Sequence, residues 1–444
     1  MRWFGWRLLG IGILALAVRL AFAFTVAHDH PRGGFDAARY TDVASTLADG
    51  HGYSFHPGLA TFGRPDARST VIEPDGQHPP LHPVVLATAD VLGFHSADAH
   101  RAAAAVASAL GVVLTGLAGR RLVGATAGLV GAGIAAVNPL WFQHAGYLVS
   151  EATVLLVVPL TLLVAAVALD TGRLRWFLAL GVTIGLCALT RGELVLLVAL
   201  LGIPAALIAR DVRRLAALGL VLLGAAVVVG PWVIRNDRTF GEPAISYNTG
   251  ITLAGANCAQ AYHGRRLGGY GDGGFIAAGI VRRFSDHPVT QADVDRGTRH
   301  IARTYVDHNL SRVPVVVLAR VGRTFSVSNL GDSLDLDVDA GANRGYQVVG
   351  YAVYWVTALL AIGGAVGVRR RGKRQLIVLA SGPAAALAVG VFAYGATRFR
   401  VVAEPAIALL AAAALVEAYR WWSARQDPSD STSSSSASRK PALR

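Results

Sequence analysis

Charge is scarce in this chain. Only 16% of its 444 residues are Asp, Glu, Lys or Arg, against 53% hydrophobic residues, and the mean hydropathy is +0.46. A water-soluble protein of this length needs more charge to cover its surface and keeps its apolar residues in short periodic runs, so a soluble globular fold is excluded. Cysteine is nearly missing too. Cys187 lies in an apolar block and Cys258 in a long polar segment, which argues against a disulfide between them and leaves no cysteine-based metal spacing. Lysine occurs twice, as Lys373 and Lys440, so almost all of the 41 basic residues are arginine, a bias that points to a GC-rich bacterial genome. The net charge of +13 does not make a nucleic-acid binder, because the arginines are dispersed between apolar blocks and no folded basic domain presents them.

What is abundant is apolar sequence in blocks of helical, membrane-crossing length. At 1.5 Å rise per residue a helix needs about 20 residues to cross the hydrocarbon core. Ten such blocks stand at residues 6–27, 97–119, 125–142, 152–169, 176–189, 194–208, 215–233, 347–368, 375–394 and 401–419. The first is too long for a signal-peptide core, carries Arg19 and lacks a small-residue cleavage site, so it reads as an anchor. Four of the nine connections are short and basic: Arg120–Arg121, Arg173 with Arg175, the run from Arg210 to Arg214, and the cluster from Arg369 to Arg374. They alternate with the others along the chain. Placing all of them inside also puts Arg2, Arg7, Arg420, Arg425 and Arg439 inside, so the positive-inside rule predicts two cytoplasmic termini in a bacterial plasma membrane. The expected fold is an all-α polytopic membrane bundle of about ten transmembrane helices over residues 1–423. Structured external loops are expected at about 28–96 and 235–346, and a disordered cytoplasmic tail at 424–444 with its serine run.

The first external loop holds the most informative segment. From Phe35 to Gly50 the apolar residues Tyr40, Val43, Ala44 and Leu47 share one helical face, with Gly33–Gly34 before and Gly50 after, which predicts a short amphipathic helix on the outer membrane surface. Asp36 stands at its start. A carboxylate there caps free backbone N–H groups, and the same position suits a base held where membrane meets water; the two roles are compatible. Asp42 reads as a solvated charge. His78-Pro-Pro-Leu-His-Pro83 then predicts an extended entry into a second surface helix starting at Pro83 and running to Leu92, with His78 and His82 as candidate substrate contacts.

Ionisable residues also stand at the outer ends of apolar blocks: Glu151 after Ser150, Arg191 in Leu189-Thr-Arg-Gly-Glu193, and Arg398-Phe-Arg400. Snorkelling to the interface is the bland reading of the arginines, and an unpaired carboxylate such as Glu151 is costly at that depth. Arg19, well inside the first block, calls for a partner of its own.

The ordered set of these residues resembles the polyprenyl-phosphate-sugar-dependent glycosyltransferases of the C-type membrane fold, the family 39-like group that includes the protein O-mannosyltransferases and the lipid A aminoarabinose transferase. The resemblance rests on Asp36…Tyr40, Pro79-Pro-Leu-x-Pro83, Asn138-Pro139 with Ser150-Glu151, the Leu-Thr-Arg191 turn and Pro231-Trp…Arg235-Asn236. It continues through Ser246-Tyr-Asn248, Gly255-Ala-Asn257 and Arg398-Phe-Arg400…Pro405. It implies an inverting glycosyltransferase that moves a sugar from a polyprenyl-phosphate donor to a hydroxyl or amine acceptor, lipid, polysaccharide or protein, on the extracytoplasmic face. In that reading Asp36 is the base, Arg191, Arg398 and Arg400 bind the donor phosphate, and Tyr40, His78 and Glu151 line the cavity. Some members use a divalent metal ion, for which the sequence shows no ligand cluster. One departure concerns the acceptor: the protein mannosyltransferases carry Asp-Glu where this chain has Asp36-Ala37. The readings from other classes are a polytopic transporter and a non-catalytic lipid-binding relative. Ionisable residues at the outer helix ends, rather than at mid-membrane, favour the enzyme.

Overall fold

The computed structural model describes residues 2–28, 35–57, 71–209, 213–271, 273–283 and 289–426. The expected tail beyond residue 426, Gly33–Gly34 and residues 210–212 of one basic run lie outside them. Every apolar block is helical, and six helices among the described residues are long and apolar enough to cross a membrane: Arg2–Thr25, Ala97–Leu122, Glu151–Thr171, Arg214–Phe240, Arg344–Arg370 and Lys373–Phe392. A seventh span results if Ala125–Val137 and Pro139–Gly146 are taken as one helix bent by 50°. The remaining blocks form the 17-residue helix Leu174–Thr190, the helix Glu404–Gln426, and Gly192–Ile208. The last passes from a 3₁₀ turn through a π-helical turn into an α turn.

The bend has a definite cause. Pro139 has no N–H to return to the carbonyl of Ala135, and Leu140 N–H is taken by the Asn138 side chain at 2.9 Å. The carbonyls of Ala135 and Ala136 therefore lose their helical partners. Arg19, fully buried, answers both, with Nη2 3.3 Å from Ala135 O and Nη1 3.2 Å from Ala136 O, while Nε donates to Ser108 at 2.8 Å. The apolar block carries an arginine because the neighbouring helix is broken beside it.

Small residues let the helices pack closely. A Cβ at Gly111 would fall 1.7 Å from Leu155 O, and one at Gly364 would fall 1.9 Å from Leu410 O. The arginine-rich junctions gather at one end of this bundle. Arg120 lies over the ring of Phe4, Arg121 bonds Asp170 at 3.0 Å, and Arg374 donates to Leu169 O at 3.1 Å. The opposite helix ends carry Asp36, Glu151, Arg191 and Arg398.

That end is capped by the two long regions between the apolar blocks, at about 28–96 and 235–346. The first contributes helix Phe35–Ala48, an antiparallel pair of short strands (Ser54–Phe55 with Glu73–Pro74) and helix Leu81–Val91. The second helix starts two residues before the expected Pro83. A proline in the first turn gives up no helical hydrogen bond there, so it does not delay the start. The second region is also folded, as expected. Its helices include Thr249–Ala256, Gln291–His308, Val313–Thr324 and Leu330–Asp339, and Gln291–His308 opens on a capping box between Thr290 and Asp293.

Candidate active site

Three segments far apart in the chain converge above the bundle. Helix Phe35–Ala48 carries Asp36 on its first turn, Glu151 opens a long apolar helix, and the 3₁₀ turn Thr397–Val402 carries Arg398. Glu151 is fully buried, which an isolated carboxylate would not tolerate. Two arginines satisfy it: Arg191 Nη1 at 2.5 Å and Arg398 Nε at 2.6 Å, both on Oε1. Arg191 also bonds Glu193 at 2.6 Å, and Arg398 Nη1 reaches Asp36 Oδ2 at 3.1 Å. The result is a chain of alternating charge, Asp36–Arg398–Glu151–Arg191–Glu193.

Beside Asp36 stands His78, its Nε2 3.6 Å from Asp36 Oδ1 and without another partner. The Tyr40 hydroxyl lies 3.4 Å from His78 Nδ1, and their rings are 4.8 Å apart. Burial raises the Asp36 carboxyl, but the charge of Arg398 foremost, with that of His78 once it is protonated in acid, outweighs it and holds the group below the usual carboxylate range. Burial lowers the His78 imidazole despite Asp36 and Asp75, so the ring is neutral near pH 7. Burial together with the Asp36 charge raises the Tyr40 phenol, which keeps its proton. A Tyr40 hydroxyl that donates to Nδ1 leaves the proton of the neutral ring on Nε2, on the side of Asp36.

These groups open on a cavity of about 520 Å³. Asp36, Tyr40, His78, Arg191 and Arg398 line it, with Glu193, Ser246, Asn248 and Arg299 at its polar wall and Leu196, Val389 and Phe392 at its apolar one. Glu151 lies behind the arginines rather than in the lining. Arg400 is elsewhere: it is 1% exposed, bonds Glu404 at 2.8 Å and Ser326 at 2.8 Å, and lies 3.4 Å from the centre of the Tyr354 ring. His82 is also turned away, bonded to Thr153 at 2.8 Å and Leu148 O at 3.2 Å. Asp42 is a loop anchor rather than a free charge, accepting from His56 N at 2.7 Å and paired with the His56 ring at 2.9 Å. Among the described residues no three His, Cys, Asp or Glu side chains are placed to hold a metal ion. Asp36 and Glu151 are each engaged by arginine instead.

Sequence reasoning missed Arg299 and Tyr394 in the lining. The available signal for Arg299 was its place four residues after Asp295 on the amphipathic helix Gln291–His308, where the two side chains pair.

Comparison with known proteins agrees with this architecture. The family model for dolichyl-phosphate-mannose-protein mannosyltransferase matches residues 77–234, a segment that includes His78, Glu151 and Arg191. Among solved structures, the oligosaccharyltransferase of Archaeoglobus fulgidus tethered to an acceptor peptide superposes with a TM-score of 0.56 at 14% identity. That match covers 95% of this chain and 50% of the other. The same archaeal enzyme in complex with an inhibitory peptide and a dolichol-phosphate gives 0.52 at 13% identity, covering 96% and 51%. The chain has the fold of the C-type membrane glycosyltransferases. It spans about half the length of the oligosaccharyltransferase it matches. ArnT from Cupriavidus metallidurans bound to undecaprenyl phosphate matches with a TM-score of 0.40 at 19% identity, over 91% of this chain and 77% of that one. Among curated protein sequences none matches the chain.

Proposed function

We propose that the protein is an inverting glycosyltransferase, transferring a sugar from a polyprenyl-phosphate donor to a hydroxyl or amine acceptor at the extracytoplasmic face of a bacterial plasma membrane. The observation that carries this reading is the meeting of one ionised carboxylate, Asp36, with two cavity-facing arginines, Arg191 and Arg398, in a single cavity at one end of the bundle. The arginine-rich end opposite would then face the cytoplasm, with both termini.

Asp36 takes the proton of the acceptor hydroxyl as its oxygen attacks the anomeric carbon. The bond from that carbon to the phosphate oxygen breaks, and the lipid phosphate leaves with the electron pair, opposite the incoming oxygen, which inverts the centre. Arg191 and Arg398 stabilise the charge gathering on the phosphate, since a guanidinium stays charged and offers paired N–H groups. Donor phosphate competes with Asp36 for Arg398 Nη1, so donor binding frees the base. The apolar wall at Leu196, Val389 and Phe392 suits the first units of a lipid tail.

The test is turnover of a panel of radiolabelled polyprenyl-phosphate sugars by membranes containing wild type or Asp36→Asn, with folding of each checked by gel filtration in detergent. Transfer by wild type and loss in the folded mutant support enzyme and base together. Equal activity of both removes Asp36 from the chemistry. No turnover of any donor favours the lipid-binding or transport readings.

A further inference from the structure

Asp36 and His78 lie on different elements, a helix and an extended loop, and their side chains meet at 3.6 Å only if the two elements keep one register. Besides the Tyr40–His78 contact, a buried ion pair joins them. Arg39, three residues after Asp36, binds Asp75, three residues before His78, with two parallel bonds: Nη2–Oδ1 at 2.7 Å and Nε–Oδ2 at 3.1 Å. Both side chains are buried, and the Arg39 guanidinium lies 3.9 Å from the centre of the Phe55 ring. Asp75 Oδ1 also accepts from Gln77 N at 2.8 Å, which sets the direction of the loop toward His78. Further along, the Tyr53 hydroxyl holds the carbonyls of His78 and Pro79 at 3.1 and 3.2 Å. Arg235, at the end of a long helix, donates to the carbonyls of Asp75 and Tyr53.

We propose that the Arg39–Asp75 pair is a positioning brace that sets the separation of Asp36 and His78, and through Asp36 the approach of Arg398. A planar fork on a carboxylate fixes direction as well as distance, which a single-point contact does not. A slip of one residue would rotate Asp36 away from both partners. The catalytic consequence rests on the glycosyltransferase reading; the geometric claim does not.

Two measurements separate them. The first uses Asp36→Cys/His78→Cys in the full chain, where the native Cys187 and Cys258 are buried and free. A short bifunctional thiol reagent is applied with the brace intact and with Arg39→Leu/Asp75→Asn added. That double change leaves no charge buried alone and keeps the cap on Gln77, so the chain folds. Cross-linking is expected to fall severalfold when the brace is removed; equal yields overturn the proposal. The second measures transfer by Arg39→Lys and by the double variant with Asp36 and His78 present. The expected result is a loss of kcat on the order of tenfold or more, since small misplacements cost that much. Donor KM and undecaprenyl-phosphate binding stay near wild type, and Arg39→Lys falls between the two. A kcat per folded molecule equal to wild type in both variants reduces the pair to a stabilising contact and overturns the positioning role. If cross-linking falls while Asp36→Asn remains fully active, the brace stands and the assignment of the base fails.

Discussion

Arg398 grips the buried carboxylate of Glu151 with two nitrogens, Nε at 2.6 Å and Nη2 at 3.4 Å. Arg191 takes the same oxygen from the other side. Glu151 thus fixes two arginines whose remaining N–H groups face the cavity. Glu151→Gln leaves both without their shared counter-charge in a poorly solvated site, and breaking a buried pair in this way costs roughly 3–5 kcal/mol. The expected outcome is a clear fall in the melting temperature of the detergent-solubilised protein. The fraction that remains folded should still bind undecaprenyl phosphate, because the arginines keep their charge. Thermal melts and lipid-binding measurements on the same preparation check both.

Asp36 predicts the pH dependence of transfer. Its carboxyl is held below the ordinary carboxylate value by Arg398 foremost, with His78 once protonated in acid, against the effect of burial. A depressed folded-state pKa means the ion pair contributes at pH values above the unfolded-state pKa and is lost as pH falls through the lower folded one. On account of this group kcat/KM should be flat from pH 5 to 8 and decline only below about pH 4, where free carboxylates titrate. Arg398→Gln removes the nearest positive charge and should shift the acid limb to higher pH, besides weakening donor binding. An acid limb that stays in place in that variant would show that another group titrates.

Much of this arrangement was legible in the sequence, and the parts that were not share a physical reason. Apolar blocks of membrane length mapped onto helices because block length and helical rise are tied. The alternation of basic junctions put Glu151, Arg191 and Arg398 at one end before any coordinates. Contacts perpendicular to the chain left no such trace. The pairing of Arg39 with Asp75 spans 36 residues and has no periodicity to betray it. The block at 125–142 read as one helix, since nothing local shows that Arg19, over a hundred residues earlier, makes a break at Pro139 tolerable.

Arg398 and Arg400 are the sharpest case. Their spacing of two suggested a shared role on the donor phosphate. They stand on a 3₁₀ turn with three residues per revolution, so positions two apart point about 240° from each other. One faces the cavity and the other the packed helices. Arg400→Gln should therefore destabilise the protein by roughly 3 kcal/mol, as for loss of one partner of a buried pair, while leaving the donor KM of folded enzyme within about twofold of wild type. Arg398→Gln should raise donor KM on the order of tenfold, the loss expected for one charge-assisted contact to phosphate. Equal effects of the two variants on KM would contradict this separation.

Arg19 offers a test of the fold that does not depend on catalysis. Its guanidinium takes the place of the N–H that Pro139 lacks, so Arg19→Met exposes the carbonyls of Ala135 and Ala136 to an apolar interior and leaves Ser108 without its donor. Each unsatisfied buried group costs about 1–3 kcal/mol, which predicts a marked loss of stability from the single change. Pro139→Ala in the wild-type background should do little or mildly harm, because the new N–H finds its carbonyl already engaged. Combined with Arg19→Met, the same change gives Ala135 O a backbone donor and lets the helix straighten. The double variant should then be more stable than Arg19→Met alone, with a coupling of about 1 kcal/mol in a double-mutant cycle. Strict additivity of the two changes would mean that the arginine and the broken helix are neighbours without being partners.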